Sequence, residues 1–215
     1  MATIDPARRA AIGVERRARS RALLVQAART LIGKRPVDAI TVSDVTDEAG
    51  MSKGAFYGHF HDLDALRSAV ANELSEELQA RIVVYRARTE DPFIKIAIGC
   101  LNYIERARRE PGWGALAARG IWAFPNVAQE ARRRLTEDLD AAAAQDLRAP
   151  IKAEIAFDLV VGPVLQAMRS ASEGRLSEPD APPLVAGILR ALGLSASEAA
   201  ASVDAARRIL SAQFD

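Results

Sequence analysis

Apolar residues recur along this chain at spacings of three and four, which is the pattern of amphipathic helices. Alternating β-branched residues, which would indicate strands, are almost absent, so the sequence predicts an all-α protein. The clearest stripe repeats every four residues and consists of Leu66, Val70, Leu74 and Leu78. It follows Asp62, a residue suited to capping a helix N-terminus, and it predicts one long helix that ends near Arg86.

Three shorter helices are predicted before this long helix, over residues 17–33, 41–49 and 53–60. Thr41 and Ser52 can each cap the helix that follows, and Asp44 stands three residues after Thr41, as in a capping box. Gly50 separates the last two of these helices and tolerates the positive φ that a tight turn requires. Two short helices joined in this way predict a helix-turn-helix over residues 41–60.

Six further helices are predicted in the remainder of the chain, over residues 92–109, 114–122, 127–147, 151–173, 183–192 and 197–214. Proline and glycine residues separate them. We therefore expect two domains. Residues 1–62 are expected to form an N-terminal arm and a three-helix domain that contains the helix-turn-helix, and residues 63–215 a second, all-helical domain.

The formal net charge of +1 conceals an uneven distribution of charge along the chain. Residues 1–60 carry ten Lys and Arg against six Asp and Glu, whereas the remaining residues carry nineteen against twenty-two. A basic segment of this kind suits a polyanionic partner such as DNA. For Arg8 to Arg17, a solvated and partly disordered tail is the alternative interpretation.

Other features of the composition exclude several classes of function. Cys100 is the single cysteine, and His59 and His61 point to opposite sides of a helix, so the sequence predicts neither a disulfide nor a metal site. The chain has no apolar run long enough to span a bilayer and no apolar signal core, so we expect a cytoplasmic protein with no membrane partner. An all-helical enzyme is the rival hypothesis of another class. No catalytic cluster or phosphate-binding loop stands out, however, and we expect no catalytic residue and no cofactor.

The stretch of residues 41–60, TVSDVTDEAGMSKGAFYGHF, resembles the signature of the TetR family of transcriptional regulators. The resemblance extends from Arg17 to Leu66, and the rest of the chain is similar to the family only in helical character and length. In that family the matching positions contact phosphates or bases. The resemblance therefore implies DNA-binding roles for Thr41, Ser52, Lys53, Gly54, Tyr57 and His59, with Lys53 as the expected base-reading residue.

Three positions depart from the family pattern. Leu63 stands where the family usually has a lysine, Ala55 replaces a polar residue, and Thr46 replaces a small alanine. Loss of the lysine weakens the sequence-independent attraction to DNA phosphates. We hypothesise that the arginine-rich N-terminal arm compensates by reaching the DNA backbone or the minor groove.

A single helix-turn-helix makes few DNA contacts, and a homodimer that reads two half-sites is therefore expected. The candidate dimerisation helices are those at residues 151–173 and 197–214, since the family pairs its last two long helices. The last helix carries an apolar stripe of Ala199, Val203, Ala206, Leu210 and Phe214. The alternative is that this stripe closes the core of its own monomer.

Bulky apolar residues between the long helix and the dimerisation helices are candidates to line an effector pocket: Phe93, Tyr103, Trp113, Trp122, Phe124, Phe157 and Met168. Ordinary core packing is the alternative for each of them. No buried charge is evident, so we expect an apolar or aromatic effector. The resemblance implies a repressor that this effector releases from a double-stranded operator by shifting the long helix after Asp62. The alternative is a DNA-binding regulator with no ligand.

Overall fold

The computed structural model describes residues 6–144 and 152–212, and every element of secondary structure in these two ranges is helical. Their α-helices are α1 (Pro6–Lys34), α2 (Val42–Ala49), α3 (Lys53–Tyr57), α4 (Leu63–Arg86), α5 (Pro92–Arg109), α6 (Pro111–Ala123), α7 (Pro125–Ala144), α8 (Ala153–Ser172), α9 (Ala181–Ala191) and α10 (Ala196–Ser211). The all-α prediction is confirmed. The helix ends expected at Leu147, Ile151 and Phe214 lie outside the described residues. Within the described helices, no stretch has both the length and the hydropathy needed to cross a lipid bilayer.

The chain divides into two compact units, Met1–Asn72 and Glu73–Asp215, and the division falls inside α4. In the first unit α1 packs on α2, and α2 packs on α3. Each helix of this unit contributes a fully buried side chain to its core, namely Leu24, Val45, Phe56 and Leu66. Burial of a side chain of this size stabilises the fold by about 1.5–3 kcal/mol.

Helix α1 is longer than the periodicity predicts, because it begins at Pro6 and not near residue 17. Residues 6–16 are rich in alanine and arginine, which are strong helix formers, and proline is favoured in a first helical turn. These residues have no apolar stripe, which is why periodicity alone misses them. The structure agrees with the alternative interpretation of Arg8 to Arg17 in that the described side chains are exposed, but the segment is helical and not a disordered tail. Conversely, α3 ends at Tyr57, earlier than residue 60, with the weak helix former Gly58 at its C-cap.

Helix α5 is the centre of the second unit and packs against each helix from α6 to α10. The carboxylate of Asp91 caps this helix by accepting hydrogen bonds from the backbone N–H groups of Phe93 and Ile94. Helix α6 crosses α5 at very close range. A Cβ atom built on Gly114 would lie 2.6 Å from the Cβ of Ala107 and would also overlap the hydroxyl of Ser172 on α8. Only glycine permits this approach of the helices.

Helix α10 closes the core of its own unit. Ala199, Val203 and Ala206 from its apolar stripe are at most 2% exposed, and the helix packs on α5 and α9. These three residues are therefore already covered and cannot form the expected dimer surface. Leu210 is half-buried, and Phe214 lies outside the described residues. The alternative interpretation, in which it completes the monomer core, fits the structure.

Candidate functional site

Thr41 holds the start of α2 through a reciprocal capping box. Its hydroxyl oxygen accepts a hydrogen bond from the backbone N–H of Asp44 at 3.2 Å, and its own N–H donates to the Asp44 carboxylate at 2.8 Å. A guanidinium nitrogen of Arg35 lies 2.8 Å from the same carboxylate. Hydrogen bonds from Arg35 and Thr41 lower the pKa of Asp44 to about 2. The helix start is therefore fixed by a carboxylate that stays ionised near neutral pH.

The turn between α2 and α3 depends on Gly50, whose φ of 64° lies in the left-handed region that favours glycine. The N–H of Met51 closes the turn by donating to the carbonyl of Thr46 at 2.9 Å. The Thr46 side chain is buried, and its hydroxyl donates to the carbonyls of Val42 and Ser43 at 3.0 Å each. The departure from the family's alanine at Thr46 is thus accommodated inside the unit by satisfied hydrogen bonds.

Helix α3 separates an inner face from an outer one. Ser52 caps it by accepting a hydrogen bond from the N–H of Ala55 at 3.2 Å. Phe56 is fully buried and meets the ring of Tyr57 edge to face at 5.3 Å, whereas Tyr57 itself is 59% exposed. Lys53 is also exposed. The helix therefore presents Lys53 and Tyr57, one turn apart, on a surface that the core does not use.

The structure exposes five of the six residues predicted to bind DNA. Thr41, Ser52, Lys53, Gly54 and Tyr57 are exposed, while His59 is half-buried after the end of α3. A Cβ on Gly54 would meet only the Ser52 hydroxyl, at an ordinary 3.8 Å. Nothing described in the structure therefore requires a glycine at position 54, in contrast to Gly50.

Arginines of α1 lie beside the end of α3. A guanidinium N–H of Arg17 donates to the carbonyl of Gly58 at 3.2 Å, and the guanidinium of Arg21 lies 5.1 Å from the centre of the Phe60 ring. Arg8, Arg16 and Arg19 are exposed on the same helix. The basic start of the chain is thus a helical surface anchored next to the helix that carries Lys53 and Tyr57.

A cavity of about 130 Å³ lies within the second unit, between α4, α5, α6, α7 and α8. Most of its wall is aliphatic, with Ile82, Ile121 and Val164 among the lining residues. Tyr103 also lines it and donates its hydroxyl hydrogen to the carbonyl of Leu78 at 3.1 Å. Burial raises the pKa of Tyr103 to about 12, so its hydroxyl remains protonated.

Charged groups also reach the wall of this cavity. The guanidinium of Arg86 bonds both carboxylate oxygens of Asp138, at 2.7 and 2.8 Å, and also donates to the carbonyl of Lys95. Asp138 is 5% exposed. Burial raises the pKa of the Asp138 carboxyl, while the two hydrogen bonds from Arg86 act in the opposite direction. The expectation that the second unit contains no buried charge is therefore wrong.

The structure distributes the seven predicted effector-binding residues among three environments: the cavity wall, the core and the surface. Tyr103 and Met168 line the cavity, and the other five do not belong to its lining. Phe93, Trp113, Phe124 and Phe157 are buried in the core, and Trp122 is 61% exposed. Cations cover two of these core rings, since Arg106 lies 4.0 Å from the centre of the Trp113 ring and Arg132 lies 3.9 Å from that of Phe157.

Sequence reasoning missed the aliphatic and charged lining of the cavity. Arg86, Glu130, Arg134 and Asp138 belong to this group. The last three stand four residues apart on α7, which places them on one helix face. That spacing was the available signal, but the same pattern is typical of a solvated helix surface.

Comparison with known proteins gives a consistent result. The sequence profile of the family described as "Bacterial regulatory proteins, tetR family" matches residues 24–70. No curated protein sequence matches the chain. The fold is similar to that of a gamma-butyrolactone receptor (ArpA-like protein), with 19% identity, a TM-score of 0.68 and coverage of 92% of this chain and 99% of that one.

Two other solved structures have a similar fold. RolR in complex with the ligand resorcinol is 23% identical, with a TM-score of 0.63 and coverage of 88% of this chain and 95% of that one. A TetR family transcription regulator from Marinobacter aquaeolei VT8 is 13% identical, with a TM-score of 0.63 and coverage of 91% and 97% of the two chains. These similarities extend over both units, whereas the family profile matches the helix-turn-helix, the second part of α1 and the first part of α4.

Proposed function

We propose that this chain, whose residues 24–70 match the profile of the tetR family of bacterial regulatory proteins, is a ligand-responsive DNA-binding regulator of transcription. More specifically, we propose a homodimeric repressor that a small apolar or aromatic effector releases from its operator. The observation that carries this proposal is the outer face of α3. It presents Lys53 and Tyr57 to solvent on a helix whose inner face is fully buried.

The principal DNA contacts are assigned to Lys53 and Tyr57, whose side chains are exposed on the outer face of α3. Lys53 is a cation suited to base edges or phosphates, and Tyr57 adds a hydroxyl donor and a ring. The bare backbone at Gly54 permits close approach to a groove wall, because the fold leaves room for a side chain there and none is present. Ser52 and Thr41 have cap roles as well, so their variants would change stability along with binding.

The arginines of α1 supply a second, sequence-independent contribution. Arg8, Arg16 and Arg19 are exposed and can meet the phosphate backbone, which offsets the missing lysine at Leu63. Deletion of residues 1–16 should weaken operator binding and reduce the slope of log affinity against log salt by about 0.9 for each phosphate that the variant no longer neutralises. Unchanged affinity and slope in the deletion variant would contradict this assignment.

The dimer surface is assigned to the outer faces of α8 and α9. Ile155 is 52% exposed on α8, and Leu159 and Gly162 lie on the same face. Pro183 and Gly187 are exposed on α9, and neither Gly162 nor Gly187 has a neighbour that a Cβ would meet. Small residues on two adjacent helices favour close packing against a second copy. We expect the full chain to sediment as a dimer. A variant that carries both Ile155→Arg and Gly187→Arg should sediment as a monomer.

The effector is assigned to the cavity of the second unit. RolR, a protein of similar fold, is described in complex with resorcinol, a one-ring aromatic compound, which supports an aromatic effector of small size. Helix α4 lines the cavity through Leu78 and Ile82, and its residues 63–72 belong to the DNA-binding unit. An effector that prefers one position of α4 would change operator affinity through differential binding worth about 1–3 kcal/mol.

Binding to labelled DNA from upstream of the gene tests the regulator proposal. With excess nonspecific competitor, the wild type should bind tightly, and Lys53→Ala and Tyr57→Ala should each lose about 1–3 kcal/mol of binding free energy. Lys152→Ala replaces an exposed lysine of the second unit and serves as the matched control, with unchanged affinity. Circular dichroism verifies that all variants are folded. Wild-type affinity in both α3 variants would overturn the assignment of the recognition helix.

A further inference from the structure

We propose that the cavity of the second unit selects a neutral, single-ring phenol, whose ring lies among the aliphatic side chains and whose hydroxyl donates to uncharged acceptors beside α4. This inference rests on the proposed effector role of the cavity. It adds three limits on the ligand: its size, its charge and its hydrogen-bonding group.

The size of the ligand follows from the cavity volume of about 130 Å³. An apolar protein cavity of about 150 Å³ stays dry and accommodates one benzene molecule. The space here therefore fits one six-membered ring with a small substituent. A fused two-ring compound exceeds this volume, so it would have to displace lining side chains, which is costly, or leave part of its second ring outside the cavity.

The neutral charge of the ligand follows from the ion pairs at the cavity wall. Arg86 is paired with Asp138, and Arg134 is paired with Glu130, which also binds Arg133. Lys95 lies 3.3 Å from Glu90 at the surface. Each cation on the lining therefore already has a carboxylate. An ionised ligand would lose its hydration and find no unpaired counter-charge, so a neutral ligand is favoured.

The inference that the ligand carries a hydroxyl rests on the uncharged polar groups of the cavity wall. Tyr103 has committed its hydrogen to the carbonyl of Leu78, which leaves the lone pairs of its oxygen as acceptors. The side-chain amide of Gln79 donates to the Ser75 hydroxyl, which leaves its carbonyl oxygen as a second acceptor. Acceptors of this kind complement a ligand that donates a hydrogen bond. A carboxylate, which only accepts, does not match them.

Calorimetric titration of the full chain at pH 7 with phenol, benzene, benzoate and 2-naphthol tests each limit separately. Phenol is uncharged at this pH and benzoate is ionised, since their groups resemble the tyrosine and carboxyl side chains. We expect phenol to bind, benzene to bind about two- to tenfold more weakly because it lacks one hydrogen bond, and benzoate and 2-naphthol to give no signal. Tighter binding of benzoate than of phenol would overturn the limit on ligand charge. Tighter binding of 2-naphthol than of phenol would overturn the limit on ligand size.

Two variants locate the binding in the cavity. Tyr103→Phe should reduce phenol affinity by about two- to tenfold while leaving benzene affinity unchanged. Ala131→Leu places three further carbon atoms in the lining and should abolish the binding of both, whereas Ala143→Leu, at an exposed position of the same helix, should not. Phenol binding that is unchanged in the Ala131→Leu variant would overturn the assignment of phenol to this cavity. Operator binding by the same samples is measured in parallel, so a protein that binds DNA and no phenol refutes this inference alone.

Discussion

The two units hold their functional groups in different ways. In the first unit, the hydrogen bonds that cap the starts of α2 and α3 join residues three apart, Thr41 to Asp44 and Ser52 to Ala55. In the second unit, the Arg86–Asp138 pair at the cavity wall joins residues 52 positions apart. The starts of α2 and α3 are therefore fixed by local interactions, whereas the cavity exists only when distant helices have packed. Variants of the two kinds should differ in both the size and the location of their effects.

The largest expected effect is the removal of the buried carboxylate of the second unit. Asp138→Ala leaves the Arg86 guanidinium, only 18% exposed, without its carboxylate, and breaking a buried pair in this way costs about 3–5 kcal/mol. Urea unfolding of the full chain measures the loss, and amide hydrogen exchange should locate it in α5 to α8. Asp140→Ala changes an exposed carboxylate of the same helix and should alter stability by less than about 0.5 kcal/mol. An equal loss of unfolding free energy in the two variants would contradict the proposed role of the Arg86–Asp138 pair in stability.

A smaller loss of stability is expected from substitutions where α5 and α6 cross. Gly114→Ala places a Cβ 2.9 Å from the Cα of Ala107, a backbone atom that cannot rotate away, and overpacking of this kind costs about 1–3 kcal/mol. Gly112→Ala in the same helix meets nothing within 4 Å and should be neutral or stabilising by up to about 1 kcal/mol. Thermal unfolding of the two variants compares them. Similar effects would mean that the helices can separate at this crossing.

Variants of the helix caps test whether these local interactions act only within their own unit, because both units contain a serine cap. Ser52→Ala should destabilise α3 and Ser195→Ala should destabilise α10, each by about 1 kcal/mol, since each serine accepts a backbone N–H. Hydrogen exchange should place the first change in the first unit alone and the second change in the second unit alone. Ser52→Asn keeps a capping oxygen and should retain the wild-type exchange rates. A loss spread over both units would contradict the local character of these caps.

The smallest expected effect concerns the acid stability of the first unit. Arg35 and Thr41 hold the pKa of Asp44 at about 2, below its usual value of 3.8. Because the folded-state pKa is lowered, the contribution of this carboxylate is fully present above about pH 4, and is lost as the pH falls towards 2. Carboxyl NMR titration of the full chain should give a midpoint near 2 for Asp44, and Asp44→Asn should remove this part of the pH dependence. A midpoint near 3.8 would show that the Arg35 contact does not persist in solution.

The sequence predicted the first unit in detail because its signals are short-range. Thr41, Gly50 and Ser52 indicate the helix starts and the turn by their residue types, and the structure contains the caps and the positive φ expected there. The periodicity of apolar residues also located α4 and the helices after it. It failed for residues 6–16, where helix propensity without an apolar stripe forms the helix.

Only the tertiary structure decided which residues line the cavity and which faces remain open. Trp122 and Phe157 satisfy the same compositional criterion as Tyr103, yet one is exposed, another is buried in the core, and the third lines the cavity. The stripe on α10 looked suited to a dimer and instead covers α5. A sequence specifies which side of each helix is apolar, but not which neighbour covers it. That choice depends on close helix contacts such as the one at Gly114, where α6 meets both the preceding helix α5 and Ser172 of the distant helix α8.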